Sequence, residues 1–193
     1  MTLKITKNSM KQTITEYESI IKKCEDIFAK KLKDYGTAWR ILRISSLTDQ
    51  IFIKAQRIRS IGEKGTQKIM EDISNEYIGI INYSIIGLMQ LELGIAKQPE
   101  ELSFSTAMGM FSEYSNQAKH LMSDKNHDYG EAWRDMRISS LTDLILQKLL
   151  RVKQIENNEG NTLISEGIDA NYLDMMNYAV FALIKLEIKE LKK

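Results

Sequence analysis

Cysteine and histidine are almost missing from this chain. The single cysteine, Cys24, excludes an internal disulfide and any zinc site built from several thiolates. Two histidines, His120 and His127, leave little for a histidine-rich metal centre. One proline, Pro99, and ten glycines among 193 residues leave long stretches without a helix breaker. Neither sign of charge dominates: 27 Lys and Arg against 26 Asp and Glu give a net charge of +1, which argues against a chain made to coat nucleic acid or an anionic membrane. Long apolar runs are lacking too. The most apolar stretch, YIGIINYSIIGLMQLEL, is short and interrupted by Asn82, Ser84, Gln90 and Glu92, so no membrane span is expected. The first residues, MTLKITKNSMKQ, do not resemble a secretory leader, and a cytoplasmic location with a reduced thiol is expected. There is no regular polar–apolar alternation and no Asn-Gly or Asp-Gly hairpin turn. What remains, 43% hydrophobic and 27% charged residues, suits an all-α globular chain.

The chain contains itself twice. DYGTAWRILRISSLTDQIFIKAQR (Asp34 to Arg57) recurs as DYGEAWRDMRISSLTDLILQKLLR (Asp128 to Arg151), 94 positions on (34 and 128). Further along, Glu71, Ile73, Tyr77, Asn82, Tyr83, Leu88, Leu91 and Glu92 recur as Glu166, Ile168, Tyr172, Asn177, Tyr178, Leu183, Leu186 and Glu187, now 95 positions on (82 and 177). One extra residue therefore lies in a loop of the second copy. The expected organisation is a first copy over 1–94, a linker over 95–102 and a second copy over 103–193. The two would pack as one domain with pseudo-two-fold symmetry.

Each copy reads as three helices. Apolar residues Ile14, Tyr17, Ile20, Ile21, Cys24, Ile27 and Phe28 recur at helical spacing and predict a first helix from Thr13 to Asp34. Gly36 is its expected stop. A second helix is expected from Ser45 or Ser46, either hydroxyl serving as cap, to between Ser60 and Gly65. A third is expected from Lys68 to Leu93, apolar on most sides and therefore central. The second copy repeats the plan over Ser105–Asp128, Leu141–Glu156 and Leu163–Lys192. Half the chain is thin cover for such a third helix, so the copies are expected to meet through it.

Packing constrains volume and polarity, and does not by itself require particular charged side chains. Repeated Asp, Arg, Ser, Thr and Lys are thus more telling than repeated Leu and Ile, because the first helices have diverged while the block after DYG has not. Trp39 and Trp133 read either as core plugs over a turn or as stacking platforms for a base. Arg40, Arg43, Arg134 and Arg137 can bridge carboxylates or hold phosphate oxygens through paired donors. Asp49, Lys54 and Arg57, with Asp143, Lys148 and Arg151 as counterparts, lie on the second helix. They read as a solvated face with local ion pairs, or as a metal-binding carboxylate beside a phosphate clamp. The third helix carries Glu76-x-x-Gly79-x-x-Asn82 in the first copy and Asn171-x-x-Asp174-x-x-Asn177 in the second. Polar groups in so apolar a helix need partners. Those partners are either inter-helix hydrogen bonds or Mg²⁺. The first copy keeps the acid at the first position and loses the second; the second copy does the reverse.

The order K-x-x-DYG-x-AWR-x-x-R-x-SSLTD-x-I-x-x-K-x-x-R, followed by a helix with D-x-x-NYA, resembles the nucleotide modification associated domain family. It looks like a relative of the all-α nucleoside triphosphate pyrophosphohydrolases, the MazG-like and dimeric dUTPase-like group. The resemblance spans Lys22 to Leu93 and Ala118 to Lys189. It implies a helical bundle whose carboxylates hold Mg²⁺ on a triphosphate, so that water attack yields a nucleoside monophosphate and pyrophosphate. Carried over by position, Asp174, Asp143, Glu76 and Asp49 are the catalytic candidates, the first three as metal ligands. Asn177 and Asn82 accompany them, and Lys148, Arg151, Lys54 and Arg57 would face phosphates. The sequence departs from MazG-like enzymes in lacking E-x-x-E on the second helix and a complete E-x-x-D on the third. The implied partner is a nucleotide. Nucleic acid is not expected, since acids and bases are interspersed and no base-reading motif occurs. A homodimer of the fused pair is left open. A helical interaction module that uses the same polar block for caps and contacts is the competing reading.

Overall fold

The computed structural model describes residues 7–68, 72–98, 102–161 and 166–190, and among these there is no β-strand. Six helices form in two sets of three. The first copy contributes α1 (Lys7–Tyr35), α2 (Ile44–Lys64) and α3 (Ile73–Leu93). The second contributes α4 (Phe104–Tyr129), α5 (Ile138–Asn157) and α6 (Ile168–Glu190). A short 3-10 turn follows the first helix of each copy, at Ala38–Ile41 and Ala132–Asp135.

The helix ends follow local chemistry. α1 stops where Gly36 takes φ +60° and its N–H closes on the Leu32 carbonyl at 3.0 Å; Gly130 ends α4 in the same way. The start of α1 lies six residues before Thr13, in a polar stretch whose lack of apolar periodicity hid it. Neither Ser45 nor Ser46 caps α2. The helix begins at Ile44, with Arg43 as N-cap and no side-chain cap bond, because the Arg43 carbonyl already accepts from Ser46 and Leu47. The same holds at Arg137 and Ile138, ahead of the expected Leu141. α3 starts at Ile73 rather than Lys68, where the Asp72 carboxylate accepts from Ser74 N at 2.9 Å. Ser103 caps α4 through Thr106 N, two residues before the expected start. The expected start at Leu163, end at Lys192 and linker Pro99 lie outside the described residues.

α3 and α6 pack against each other at the centre, α2 flanks α3, α5 flanks α6, and α2 meets α5, which makes a four-helix middle; α1 and α4 lie against it and each other. The two central helices are buried nearly all round, from Tyr77 to Gln90 and from Tyr172 to Ile184. Gly87 is needed for their approach: a Cβ there would stand 2.7 Å from the Tyr172 ring. Two crossed bonds mark the pseudo-two-fold axis. Thr48 Oγ1 meets the Tyr172 hydroxyl at 2.8 Å, and Thr142 Oγ1 meets the Tyr77 hydroxyl at 2.7 Å. Each joins the second helix of one copy to the third helix of the other, the reciprocal pattern of an isologous interface. Cys24 is buried, and burial pushes its thiol up to about 12, so it is a core residue and no nucleophile.

Candidate functional site

The polar positions of the central helices sort by copy. In the first copy, Glu76 is buried and receives Lys54 Nζ at 3.2 Å together with the Arg57 guanidinium. In the second, Asp174 is buried and receives Lys148 Nζ at 2.6 Å together with the Lys125 ammonium. The carboxylate has moved one helical turn along the same face, and the lysine of the second helix has followed it. Where the second copy carries Asp174, the first carries Gly79, and the Lys54 side chain lies across it: a Cβ at Gly79 would stand 2.6 Å from both Lys54 Cδ and Cε. Where the first copy carries Glu76, the second carries Asn171, whose amide turns back to the Gly167 carbonyl at 2.6 Å. Burial alone works against the Lys125 ammonium, yet its bond to Asp174, with Tyr178 and Glu166 nearby, holds its pKa above the ordinary value. Sequence reasoning gave Lys125 no role, although Lys31 repeats it, because nothing in the pattern shows that its ammonium meets Asp174 across helices.

The two asparagines tie helices together. Asn82 Nδ2 donates to the Cys24 carbonyl at 3.2 Å, and Asn177 Nδ2 donates to the Ala118 carbonyl at 3.1 Å, the same bond in each copy. Asn177 Oδ1 also accepts from the Tyr17 hydroxyl at 2.8 Å. Phe111 stands in the matching place in the other half, and Asn82 Oδ1 is buried without a partner.

The arginines of the repeated block divide in two. Arg40 is buried and donates to Gln90 Oε1 and the Gly94 carbonyl. Gln90 in turn donates to the Arg40 and Leu42 carbonyls, both at 2.7 Å, which secures the 3-10 turn. Arg134 reaches Glu16 at 2.7 Å and Glu131 at 3.1 Å, joining the second copy's turn to α1. Lys185 stands where Gln90 does, donates to the Arg134 carbonyl, and has its pKa lowered by desolvation. Arg43 and Arg137 are exposed helix caps, and Arg151 is half-buried near Tyr178.

Asp49 and Asp143 stand on the outer face, with Lys153 at 2.6 Å and Arg59 at 3.9 Å respectively. Among the described residues no three carboxylate, imidazole or thiolate side chains gather in one place. Glu76 and Asp174 each already face two cations. A Mg²⁺ ion would have to displace a lysine and a second cation to reach either one, so these donors do not fit a magnesium centre.

The first copy holds a cleft of about 540 Å³ between α1, its 3-10 turn, α2 and α3. Ile27, Phe28, Trp39, Tyr83 and Ile86 give it apolar and aromatic walls; Lys31, Lys54 and Asn75 give it polar ones. Lys31 is the counterpart of Lys125, and with Gly79 in the place of Asp174 it has no carboxylate partner among the described residues. Ile86 is the counterpart of Phe181. In the second copy the Phe181 ring lies flat on Trp133, centroids 4.3 Å apart and planes 4° from parallel. Trp133 is buried while Trp39 is half-buried. The indole N–H has no partner in either copy, so that feature does not distinguish them.

A family model described as nucleotide modification associated domain 1 matches the chain twice, over residues 31–91 and 125–186. The chain belongs to that family. Each nucleotide modification associated domain therefore runs from the last turn of an outer helix through the 3-10 turn and the two inner helices; the first contains Glu76 and the cleft lining except Ile27 and Phe28, and the second contains Asp174. The earlier parts of α1 and α4 lie outside the match, in line with their divergence. No curated protein and no solved structure matches the chain. Among the described residues, no helix is long and apolar enough to cross a membrane.

Proposed function

We propose that this chain is a nucleotide-binding protein, a relative of the all-α nucleoside triphosphate pyrophosphohydrolases that holds its ligand in the cleft of the first copy and does not depend on Mg²⁺. The cleft carries the reading. Its volume falls in the range of small-molecule sites, its walls combine rings with lysines, and all of its lining except Ile27 and Phe28 lies within a domain whose family is associated with nucleotide modification. Binding is favoured over turnover by the disposition of the acids. Pyrophosphohydrolysis needs charge neutralisation at a triphosphate and a positioned water. Here Glu76 and Asp174, the buried acids of the central helices, are in separate copies, each neutralised by its own cations.

The experiment is a thermal-shift series with the four common deoxynucleoside triphosphates, with and without Mg²⁺, paired with a pyrophosphate-release assay. At least one nucleotide is expected to raise Tm by roughly 5–10 °C, what one-site binding at a hundred times Kd confers on a chain of this size. The rise is expected to survive chelation, with pyrophosphate release at background. No shift from any nucleotide would overturn the proposal. Steady Mg²⁺-dependent release would replace binding with hydrolysis. A helical interaction module is the second reading, favoured by the number of repeated polar residues committed to internal bonds, Arg40, Arg134, Thr48 and Thr142 among them. It expects an unresponsive protein in both assays.

A further inference from the structure

Resting on the nucleotide-binding reading, we propose that the second copy carries a built-in imitation of the ligand. In this proposal Phe181 and Asp174 occupy the places that a base and an anionic group of a nucleotide take in the first copy, so the chain binds one nucleotide, against Trp39 and Lys31. Two exchanges at matched positions point this way. Phe181 lies on Trp133 as a stacked base would, and its counterpart Ile86 is an aliphatic wall of the open cleft that Trp39 also lines. Asp174 accepts from Lys125, and its counterpart Gly79 has no side chain, which leaves Lys31 facing the same cleft without a carboxylate. Both changes take from the first copy a group that the second has, and the Lys54 side chain lying over Gly79 adds a second lysine to the cleft beside Lys31. The exchanges remove a flat ring and an anion, the two chemical halves of a nucleotide. Positions 174 and 181 are seven residues apart, about 10 Å along a helix, a separation that a base and its phosphate chain can span. An aliphatic or uncharged occupant would answer neither exchange.

The two tryptophans, one per copy, make the test direct. Trp133→Phe leaves Trp39 as the sole indole, and Trp39→Phe leaves Trp133. Titrating each with the four deoxynucleoside triphosphates should quench emission in the first variant and leave it unchanged in the second, because base stacking acts on the indole it covers. Inorganic tripolyphosphate, which has the anion without the ring, should produce no quenching. Calorimetry should return one nucleotide per chain. The pair Gly79→Asp with Ile86→Phe rebuilds the second copy's occupants in the first, with Lys54 swinging off position 79 to admit the new side chain; it should weaken nucleotide binding about tenfold or more. If that pair does not fold, Lys31→Ala with the fluorescence titration decides, and a loss of affinity for triphosphates is expected. Quenching confined to Trp133, two nucleotides per chain, or a Gly79→Asp, Ile86→Phe variant that binds as tightly as the parent would overturn this inference and leave nucleotide binding standing. A parent chain inert to every nucleotide would remove the wider reading as well.

Discussion

Two copies of one sequence have solved the same problem differently. Each buries a third-helix carboxylate beneath a lysine of its second helix: Glu76 under Lys54 in the first copy and Asp174 under Lys148 in the second. In the first, the second cation is Arg57 from the same helix as Lys54, and Lys54 folds over Gly79. In the second, the second cation comes from the outer helix as Lys125, which draws α4 onto α6. One half is pulled shut by a charge that spans three helices. The other keeps its charge within two, and the third boundary is where the cleft lies. Homologous position therefore does not decide openness; the placing of one acid along a helix does.

The sharpest way to break this comparison is to remove the acids. Asp174→Ala leaves the Lys148 ammonium, with only 12% of its side chain exposed, with no acid nearer than the exposed Glu166 at 3.9 Å. A cost of about 3 kcal/mol is expected by urea denaturation. Glu76→Ala should cost less, since Lys54 and Arg57 are each 25% exposed and can turn to water. Equal losses would show that the second copy is no more dependent on its acid than the first.

A smaller effect tests a hydrogen bond that the copies do not share. Tyr17→Phe removes the donor to Asn177 Oδ1 and leaves that oxygen buried, at a cost of about 1–2 kcal/mol. Phe111→Tyr is the reverse experiment. It offers Asn82 Oδ1, now without a partner, the bond its counterpart already has, and a gain of up to about 1 kcal/mol is expected. A loss instead would mean that the Phe28–Phe111 ring contact, at 4.9 Å, leaves no room for the hydroxyl.

Much of this was readable before any coordinates. The matched positions of the DYG block and of the third helix revealed the duplication, and the all-round apolar pattern of the third helix its central place, because those signals are properties of the chain alone. The opposed acids at 76/79 and 171/174 were also visible. Their partners were not. Whether a carboxylate meets a cation or a metal depends on which helix face arrives opposite it, and Lys125 arrives from a helix whose sequence has drifted. Trp39 and Trp133 looked alike as well, and their difference lies seven residues beyond the acid position, at Ile86 and Phe181, where an exchange of one apolar residue for another reads as neutral until the ring is seen on the indole. The caps misread at Ser45 and Ser46 fail for a similar reason: a serine before an apolar run signals a helix start, but backbone acceptors at Arg43 and Arg137 begin the helix earlier.

The smallest expected effect concerns the seam between α2 and α5. Glu156 accepts from Thr48 at 2.7 Å, and its counterpart is Gly62, so only one side of the seam carries this acid. Burial raises the Glu156 pKa and the neighbouring Asp49 adds to that, while the Thr48 hydroxyl and Lys153 oppose it. A carboxyl whose pKa is higher folded than unfolded binds its proton more tightly in the native state. Its contribution is thus fully present below the unfolded pKa and is lost as pH rises through the folded one. Near neutral pH the ionised Glu156 is a mild burden. Glu156→Gln keeps an acceptor for Thr48 and removes the charge, so it should raise Tm slightly at pH 7 and lose that advantage in acid. Because the group is half in water, solvent screening keeps the effect small. A variant less stable than the parent at pH 7 would show that the Thr48 bond to a charged acceptor outweighs desolvation at this seam.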